Sequence, residues 1–265
     1  MAAKGKGSRS SKRLSKEDVE EIDIIDINKS MANSSTSNLK NQIKFNDGTE
    51  LKNENQKKLE KKIKNNKIIF IKGPAGCGKT FVSIKVALDI LKNDEDVSKI
   101  ILTKPIVEAG NENIGFLKGG LEDKIGPYMS SFYSNIEKLI GKPASEFLKA
   151  RFYVLEKPIS YMRGDTFDNC ICILDEAQNL SKNGLKLFIS RLGNNSKMII
   201  MGDTDQVDIK IANGQKSGLD DAFVRFEGIP GVSFHEFGDD DIVRNPILID
   251  IMKRYREDNL DNLKK

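Results

Sequence analysis

The fold of this 265-residue chain is decided by the stretch Ile68-Ile-Phe-Ile-Lys-Gly-Pro-Ala-Gly-Cys-Gly-Lys-Thr80. Its second part, from Gly73 onward, matches the pattern G-x-x-x-x-G-K-[ST], in which a glycine-rich loop surrounds the phosphates of a nucleotide. The apolar run before the loop is typical of a buried strand, and a helical pattern follows it, as the motif requires. We therefore predict that a nucleoside triphosphate binds to Gly73, Pro74, Ala75, Gly76, Cys77, Gly78, Lys79, Thr80 and Phe81.

Two residues of this loop have predicted chemical roles. Lys79 is expected to reach the β- and γ-phosphates, and the Thr80 hydroxyl is expected to hold Mg²⁺. The glycines let the backbone N–H groups point inward, and the N-terminus of the following helix adds its positive end to the same anion site. The sequence has no N-K-x-D signature for guanine, so the predicted cofactors are ATP and Mg²⁺.

A second motif lies about 95 residues further on, where the apolar run 170–174 is followed directly by Asp175 and Glu176. Such a strand tip is typical of the magnesium side of a P-loop site. Asp175 is predicted to position the metal ion through a water molecule, and Glu176 to polarise the attacking water. The apolar run 99–103 lies between the two motifs in sequence. With the acidic residue after Asp175, it favours the ATP-hydrolysing RecA-like branch over kinases and small GTPases.

Two glutamines are further candidates for the nucleotide site. Gln206 follows the apolar run 197–201 in Gly202-Asp-Thr-Asp-Gln206, and there it could bind the γ-phosphate or the lytic water. Gln56 lies about 17 residues before the loop, and its amide could read the donor and the acceptor on the adenine edge. The alternatives are a polar turn for Gln206 and a surface helix position for Gln56.

Apolar runs alternate with helical patterns from residue 49 to the end of the chain. This alternation predicts an α/β, RecA-like P-loop NTPase with a mostly parallel sheet and helices on both faces. The predicted strands are 68–72, 99–103, 152–155, 170–174, 197–201 and 232–234. The predicted helices are 55–65, 80–93, 128–140, 145–150, 183–192 and 246–257.

Residues 1–48 are predicted to be a flexible charged tail, and residues 49–265 a single ATPase domain. The tail begins with six cations and no acid in residues 1–16, followed by six acids in residues 17–26. It has too few apolar residues to offset the entropy lost on ordering. The whole chain has 43 Lys and Arg against 39 Asp and Glu, which is compatible with nucleic acid but does not diagnose it.

The composition excludes several classes of protein. No stretch is long and apolar enough to span a membrane, and no signal peptide is evident, so we expect a cytoplasmic protein. Three cysteines and one histidine are too few for a disulfide framework or a histidine-based metal site. Cys77 lies at a helix N-terminus, where the pKa of a thiol tends to fall, and it is therefore expected to react with alkylating reagents.

A series of stretches spread along the chain resembles one known family. These stretches are Asn55-Gln56, 73–80, 103–110, 115–119, Pro127-Tyr128, 161–164, 174–179, 191–193, 196–198, Gly202-Asp203 with Gln206, and 241–244. They occur in the family's order from about residue 53 to 256, and through them the sequence resembles the PhoH family, the phosphate-starvation-inducible ATPases of bacteria and many bacteriophages.

The resemblance implies a RecA-like core, ATP hydrolysis and a helicase-like role on RNA or DNA. Asp165 departs from the family, which usually has arginine there, and no nuclease-type PIN domain fits in the tail. If a phage encodes the chain, the cytoplasm is that of the host.

One core domain is not enough for a helicase that sandwiches ATP between two RecA-like cores, each ~150–200 residues long. We therefore predict a homo-oligomer, most simply a hexameric ring with ATP sites shared between subunits. A neighbour would supply an arginine to the γ-phosphate. The first candidate is Arg191, followed by Arg244 and Arg163.

The predicted function is that of an ATP-hydrolysing motor on RNA or single-stranded DNA. The loops that follow the strands would bind the nucleic acid, as the corresponding loops of helicases do. One alternative is a slow nucleotide-dependent switch that regulates a protein partner, and another is a factor with ribonuclease activity. The predicted contacts with nucleic acid are Thr103, Lys104, Lys118 and Arg163.

Overall fold

The protein is described from a computed structural model, which covers residues 39, 41–105, 121–206 and 217–243, with 247, 250, 251 and 254 near the end. The chain divides into two units, residues 1–39 and residues 40–265. The second unit contains every helix and strand described below. None of the helices in the described ranges is both long and apolar enough to cross a membrane.

The second unit is built on a six-stranded parallel sheet. In chain order the strands are β1 (Ile68–Lys72), β2 (Lys99–Thr103), β3 (Val154–Glu156), β4 (Cys170–Leu174), β5 (Lys197–Gly202) and β6 (Val232–Glu236). Their order across the sheet is β3-β2-β4-β5-β1-β6, and every neighbouring pair runs parallel. All five residues of β4 are buried, as expected for a strand with helices on both faces.

The helices are α1 (Glu54–Asn65), α2 (Lys79–Asn93), α3 (Leu121–Ile140), α4 (Lys142–Ala150), α5 (Lys182–Ile189) and α6 (Gly218–Arg225). Helix α2 packs on β2, β4 and β5, with α1 and α3 against it. On the other face, α5 and α6 cover a core that includes Phe70 and Phe188. The Phe70 ring stacks on Phe234, with 5.5 Å between ring centroids. The predicted fold, a parallel sheet with helices on both faces, is confirmed.

The predicted elements differ from the structure mainly at their ends. Strand β3 begins at Val154 and not at 152, because Phe152 adopts φ 58° and its N–H bonds to Lys149 O in the turn that ends α4. Helix α5 ends at 189 and not at 192. Helix α6, capped by the Ser217 side chain, was not predicted at all. The predicted helix 246–257 lies largely outside the described residues, and the four residues described there are helical.

The order of the strands brings four chain segments together at one edge. The carboxyl ends of β2, β4, β5 and β1 lie side by side there, and they are followed by residues 104–105, 175–179, 203–206 and 73–80, respectively. The strand that separates the phosphate-loop strand from β4 in the sheet is β5. Strand β2, which lies between the two motifs in sequence, lies on the far side of β4. Such a carboxyl edge is where open α/β sheets bind their ligands.

Candidate nucleotide-binding and hydrolysis site

The glycine-rich loop follows β1 and turns directly into α2. Gly73 has φ +154° and Gly78 has φ +93°, both conformations that residues with a side chain rarely adopt. Space is also restricted at both positions. A Cβ on Gly73 would lie 2.6 Å from the Phe237 Cβ, and one on Gly78 would lie 2.6 Å from the Gln56 Nε2. The loop therefore requires glycine at these positions for its conformation and for its packing.

Lys79 folds back across the mouth of the loop. Its ammonium donates to the carbonyl of Gly73 at 2.6 Å and to the carbonyl of Pro74 at 3.0 Å. The residue is buried, so these bonds hold the charge over the loop. A phosphate group there would meet the ammonium together with the N-terminus of α2.

Thr80 and Asp175 form the candidate magnesium site. The Thr80 hydroxyl donates to Asp175 Oδ2 at 3.0 Å, although 95 residues separate them in sequence. Asp175 is buried, and its other oxygen accepts a bond from the Glu176 N–H at 3.0 Å. A hydroxyl and a carboxylate are the oxygen donors that Mg²⁺ prefers, so these residues fit the ion. In the described part of the chain, no group of three or more His, Cys, Asp or Glu side chains could hold a metal ion.

Glu176 lies one residue past Asp175 and adopts φ 57°, which begins the 3₁₀ turn Ala177–Asn179. Its side chain is held by Gln178, a residue that the sequence motifs do not predict to be part of the site. Gln178 donates from Nε2 to Glu176 Oε2 at 2.7 Å and to the Gln206 carbonyl at 3.0 Å. Its Oε1 accepts from the Asp203 N–H at 3.1 Å. One buried amide thus connects the predicted base to the segment after β5.

The segment after β5 packs closely against the Gln178 amide. Gly202 is buried, and a Cβ on it would lie 2.3 Å from the Gln178 Oε1. The backbone then turns so that the Gln206 N–H bonds to the Asp203 carbonyl at 3.0 Å. Gln206 and Asp203 line the nucleotide cavity beside Glu176. The signal for Gln178 in the sequence is the stretch 174–179, one of those that resemble the PhoH family, but the sequence alone predicts no role for its glutamine.

Gln56 is buried and contacts the phosphate loop. Its Nε2 donates to the Cys77 carbonyl at 2.9 Å, and its Oε1 accepts from the Lys52 N–H at 2.7 Å. The surface-helix interpretation is therefore wrong, because only 1% of the residue is exposed. The amide braces the loop from α1 and also lines the cavity. Adenine reading by Gln56 stays a prediction.

The nucleotide cavity has a volume of about 400 Å³ and a second wall that the sequence did not predict. Residues of α3 form this wall, together with Gly48 and Lys52 from the segment before α1. Asn46 ties that segment to α3, because its N–H bonds to the Leu139 carbonyl at 2.8 Å. The α3 residues that line the cavity are Ser131, Asn135 and Lys138.

The residues predicted to bind nucleic acid have varied surroundings. Thr103 is fully buried, which is at odds with the predicted contact of its side chain with a strand. Lys104 points into the nucleotide cavity, where its ammonium lies 3.5 Å from Asp175 Oδ2. Arg163 is exposed in the turn after the short 3₁₀ segment Ile159–Tyr161. Lys118 lies outside the described residues.

Of the arginines predicted to act across a subunit boundary, Arg191 and Arg163 are described, and neither lines this chain's own cavity. Arg191 follows α5, and its carbonyl accepts from the Phe167 N–H, just before β4 begins. It therefore lies at the amino edge of the sheet, opposite the nucleotide site. Its guanidinium donates to the Asp165 carbonyl at 3.0 Å and to the Ser190 hydroxyl at 3.0 Å. Arg244 lies outside the described residues.

The expectation of a reactive Cys77 is corrected by the structure. The residue is fully buried, and burial raises the pKa of its thiol, which outweighs the lowering by the nearby Lys79 charge. A helix N-terminus lowers a thiol pKa where the sulfur remains partly exposed, and here it is enclosed. Cys77 therefore contributes packing and a backbone carbonyl to the loop.

Residues 49–256 match the family described as PhoH-like protein. The chain is 43% identical over 197 residues to the PhoH-like protein of Bacillus subtilis, which covers 74% of this chain and 60% of that protein. It is 39% identical over 198 residues to Protein PhoH of Escherichia coli K12, and this match covers 74% of this chain and 55% of that protein. The chain thus spans less than two thirds of the length of these relatives. Among solved structures, the UvsW helicase of bacteriophage T4 matches with a TM-score of 0.44 and 15% identity, covering 82% of this chain and 69% of that one.

Proposed function

Because the chain belongs to the PhoH-like protein family, we propose that it hydrolyses ATP with Mg²⁺ and uses this reaction to act on RNA or single-stranded DNA. The observation that carries the proposal is the arrangement at the carboxyl edge of the sheet. The phosphate loop, the Thr80–Asp175 pair and Glu176 come from neighbouring strand ends and line one cavity, and Gln178 holds Glu176 from behind.

The chemistry follows from where each group lies. The loop N–H groups and Lys79 bind the phosphates, and Thr80 with Asp175 would hold Mg²⁺, which when bound neutralises charge on the phosphate oxygens. Glu176 extends into the same cavity and takes the proton of the attacking water. Gln178 keeps this carboxylate in one orientation, and a base contributes to the rate only when it is so positioned.

An exposed turn at the surface suits nucleic acid as the second substrate. Tyr161 is 59% exposed and Arg163 is exposed two residues further on, which pairs an aromatic face for stacking with a charge for phosphate. Such a pair supports binding to single strands without sequence preference. A protein with this role would act in the cytoplasm.

We further propose that the protein works as a homo-oligomer, in the simplest case a hexameric ring. Arg191 lies at the edge of the sheet opposite the nucleotide site. In a head-to-tail assembly, that edge of one subunit can face the cavity of the next. An arginine supplied in this way stabilises the transition-state charge.

The test is the ATPase rate with and without RNA and DNA oligonucleotides, together with the mass in solution. Stimulation by an oligonucleotide and a mass that is a multiple of 29.6 kDa are expected. Glu176→Gln should bind ATP and slow its hydrolysis by ~10²-fold or more. Glu227→Gln, on the surface after α6, is the matched control and should hydrolyse normally.

Two results would contradict the proposal. A wild-type rate in Glu176→Gln would show that Glu176 is not the base. Tight ATP binding without hydrolysis, in the presence and in the absence of oligonucleotides, would favour the nucleotide-dependent switch.

A further inference from the structure

Lys104 places a positive charge at the metal side of the nucleotide cavity. Its ammonium lies 3.5 Å from Asp175 Oδ2, the same oxygen that accepts the Thr80 hydroxyl. It also donates to the Ser131 hydroxyl of α3 at 2.8 Å. The side chain is only 12% exposed, so it belongs to the cavity wall and not to the surface.

The position of Lys104 follows from the sheet. Strand β2 lies directly beside β4, with Thr103 opposite Leu174, so that Lys104 and Asp175 each lie one residue past the end of neighbouring strands. The Asp175 N–H bonds to the Thr103 carbonyl at 3.1 Å, which fixes the two strand ends relative to each other. The Lys104 ammonium lies 5.2 Å from the centre of the Phe132 ring, which forms an apolar and aromatic floor for this side chain.

The partner of Lys104 is the carboxylate that would hold Mg²⁺. A lysine charge with so little exposure needs an anion beside it, and here Asp175 provides it. A divalent ion bound through Thr80 and Asp175 would compete for the same oxygen and would repel the ammonium. The ammonium would then need another anion, and the terminal phosphate of a nucleotide bound on the loop would lie in this cavity.

We propose that Lys104 is a second cation for the terminal phosphate, supplied by the same chain that binds the nucleotide. Without nucleotide, it neutralises Asp175. With Mg²⁺ and ATP bound, it turns to the γ-phosphate oxygens and stabilises their charge. This inference rests on the proposed ATPase function and adds to it a charge that does not depend on a neighbouring subunit. The arginine proposed to come from another subunit would act in addition to it.

The test compares nucleotides that differ in the terminal phosphate. Lys104→Met keeps the length and apolar stem of the side chain and removes its charge, and Lys104→Arg keeps the charge. Lys149→Met removes the same charge outside the cavity, from a lysine that is 59% exposed and paired with Glu156, and serves as the control. Equilibrium binding of the slowly hydrolysed analogue ATPγS and of ADP, each with Mg²⁺, is measured for all four proteins.

Lys104→Met is expected to weaken ATPγS binding by ~10-fold or more and to change ADP binding by less than ~3-fold. Lys104→Arg should recover most of the loss, and Lys149→Met should bind both nucleotides normally. A second readout is the Mg²⁺ concentration at the midpoint of ADP binding. It should fall by ~3-fold or more in Lys104→Met, because the ammonium no longer competes for Asp175.

Equal losses of ATPγS and ADP binding would overturn the inference and make Lys104 a structural residue. Unchanged nucleotide binding with lost binding of an RNA or DNA oligonucleotide would overturn it in favour of the nucleic-acid contact. The proposed function fails separately. Lys104→Met could weaken binding of ATPγS but not of ADP, as expected, while the wild type does not hydrolyse ATP. That outcome would refute the proposed ATPase activity and still support this role of Lys104.

Discussion

Replacing Gln178 by leucine should separate catalysis from nucleotide binding. Leucine has nearly the volume of glutamine but cannot hold Glu176, bond to the Gln206 carbonyl or accept from the Asp203 N–H. The amide is fully buried, so these bonds are made away from bulk water. The predicted base and the 203–206 segment would lose their connection.

The magnitude of the stability change follows from these bonds. A hydrogen bond to a charged group contributes ~1.5–3 kcal/mol and a neutral one ~0.5–1.5 kcal/mol. Water in the cavity can replace the partner of Glu176, which is half-buried, but it reaches the buried Asp203 less readily. We therefore expect Gln178→Leu to lower the free energy of unfolding by ~2–4 kcal/mol, measured by urea unfolding.

The kinetic effect should fall on kcat. A correctly placed general base contributes ~10²–10⁴-fold to the rate, and a base that samples several rotamers loses part of this. We expect kcat for ATP to drop by ~10–100-fold in Gln178→Leu, with the Kd for ATPγS changed by less than ~3-fold. A coupled ATPase assay and a binding titration on the same protein give both numbers.

The matched control is Gln56→Leu, which removes another buried glutamine amide, one that lines the cavity on the side of the phosphate loop. Gln56 braces the loop through the Cys77 carbonyl and makes no described contact with Glu176. Its loss should raise the Kd for ATPγS more than it lowers kcat. Equal kcat losses in both variants, or a wild-type kcat in Gln178→Leu, would refute the positioning role of Gln178.

Three further predictions concern stability and reactivity. His235, the one histidine of the sequence, is buried, and burial lowers its pKa from 6.5 to about 4. The unfolded chain therefore binds this proton first. The contribution of the neutral His235 to the free energy of unfolding is complete above about pH 6.5 and is lost as the pH falls toward 4. The total loss is about 3 kcal/mol. Urea unfolding between pH 7 and 5 should show this slope in the wild type, and its persistence in His235→Leu would contradict the assignment. Cys77 should be alkylated by iodoacetamide more slowly than in the urea-unfolded protein, as followed by mass spectrometry, and equal rates would mean that the loop opens readily. Gly202→Ala should destabilise by ~1–3 kcal/mol, because its Cβ would lie 2.3 Å from the Gln178 Oε1. Gly126→Ala, whose Cβ meets nothing within 4 Å, should not destabilise, and an equal loss in both variants would exclude the steric explanation.

The parts of the site that the sequence predicted are those that local pattern encodes. The loop motif needs its preceding strand and following helix next to it in sequence, so β1, the loop and α2 were found together. Strands β2 and β4 were predicted with exact bounds for a similar reason, because a parallel strand buried on both faces is a continuous apolar run. The confirmed fold class follows from the alternation of such runs with helical patterns.

The parts that were missed depend on which strands are neighbours. The contact of Lys104 with Asp175 was missed, because the direction of the lysine side chain is set by the adjacent β4 and by Ser131 of α3. Its binding to nucleic acid stays a prediction. Gln178 gains its role from Asp203 and Gln206, which reach it only because β5 lies beside β4. Neither the contact of Lys104 with Asp175 nor the bonds of Gln178 to the 203–206 segment produce a periodic pattern in the sequence. The same holds for α6, whose eight residues are too few for a clear pattern.

The arrangement of the cavity divides its residues into two functional groups. On the β1 side, Gln56 and Lys79 bond to the carbonyls of the loop, so that changes there alter how the phosphates are held. On the β4 side, Gln178 orients Glu176, and Lys104 faces Asp175. In the proposed mechanism these contacts act on the terminal phosphate and the water, so changes there should affect the chemical step more than ADP binding. Strand β5 lies between the two sides and carries the 203–206 segment, whose bonds to Gln178 tie it to the β4 group. A change that breaks the backbone bonds of this segment to Gln178 should therefore resemble the loss of Gln178 rather than the loss of Gln56, because these bonds hold the amide that contacts the predicted base.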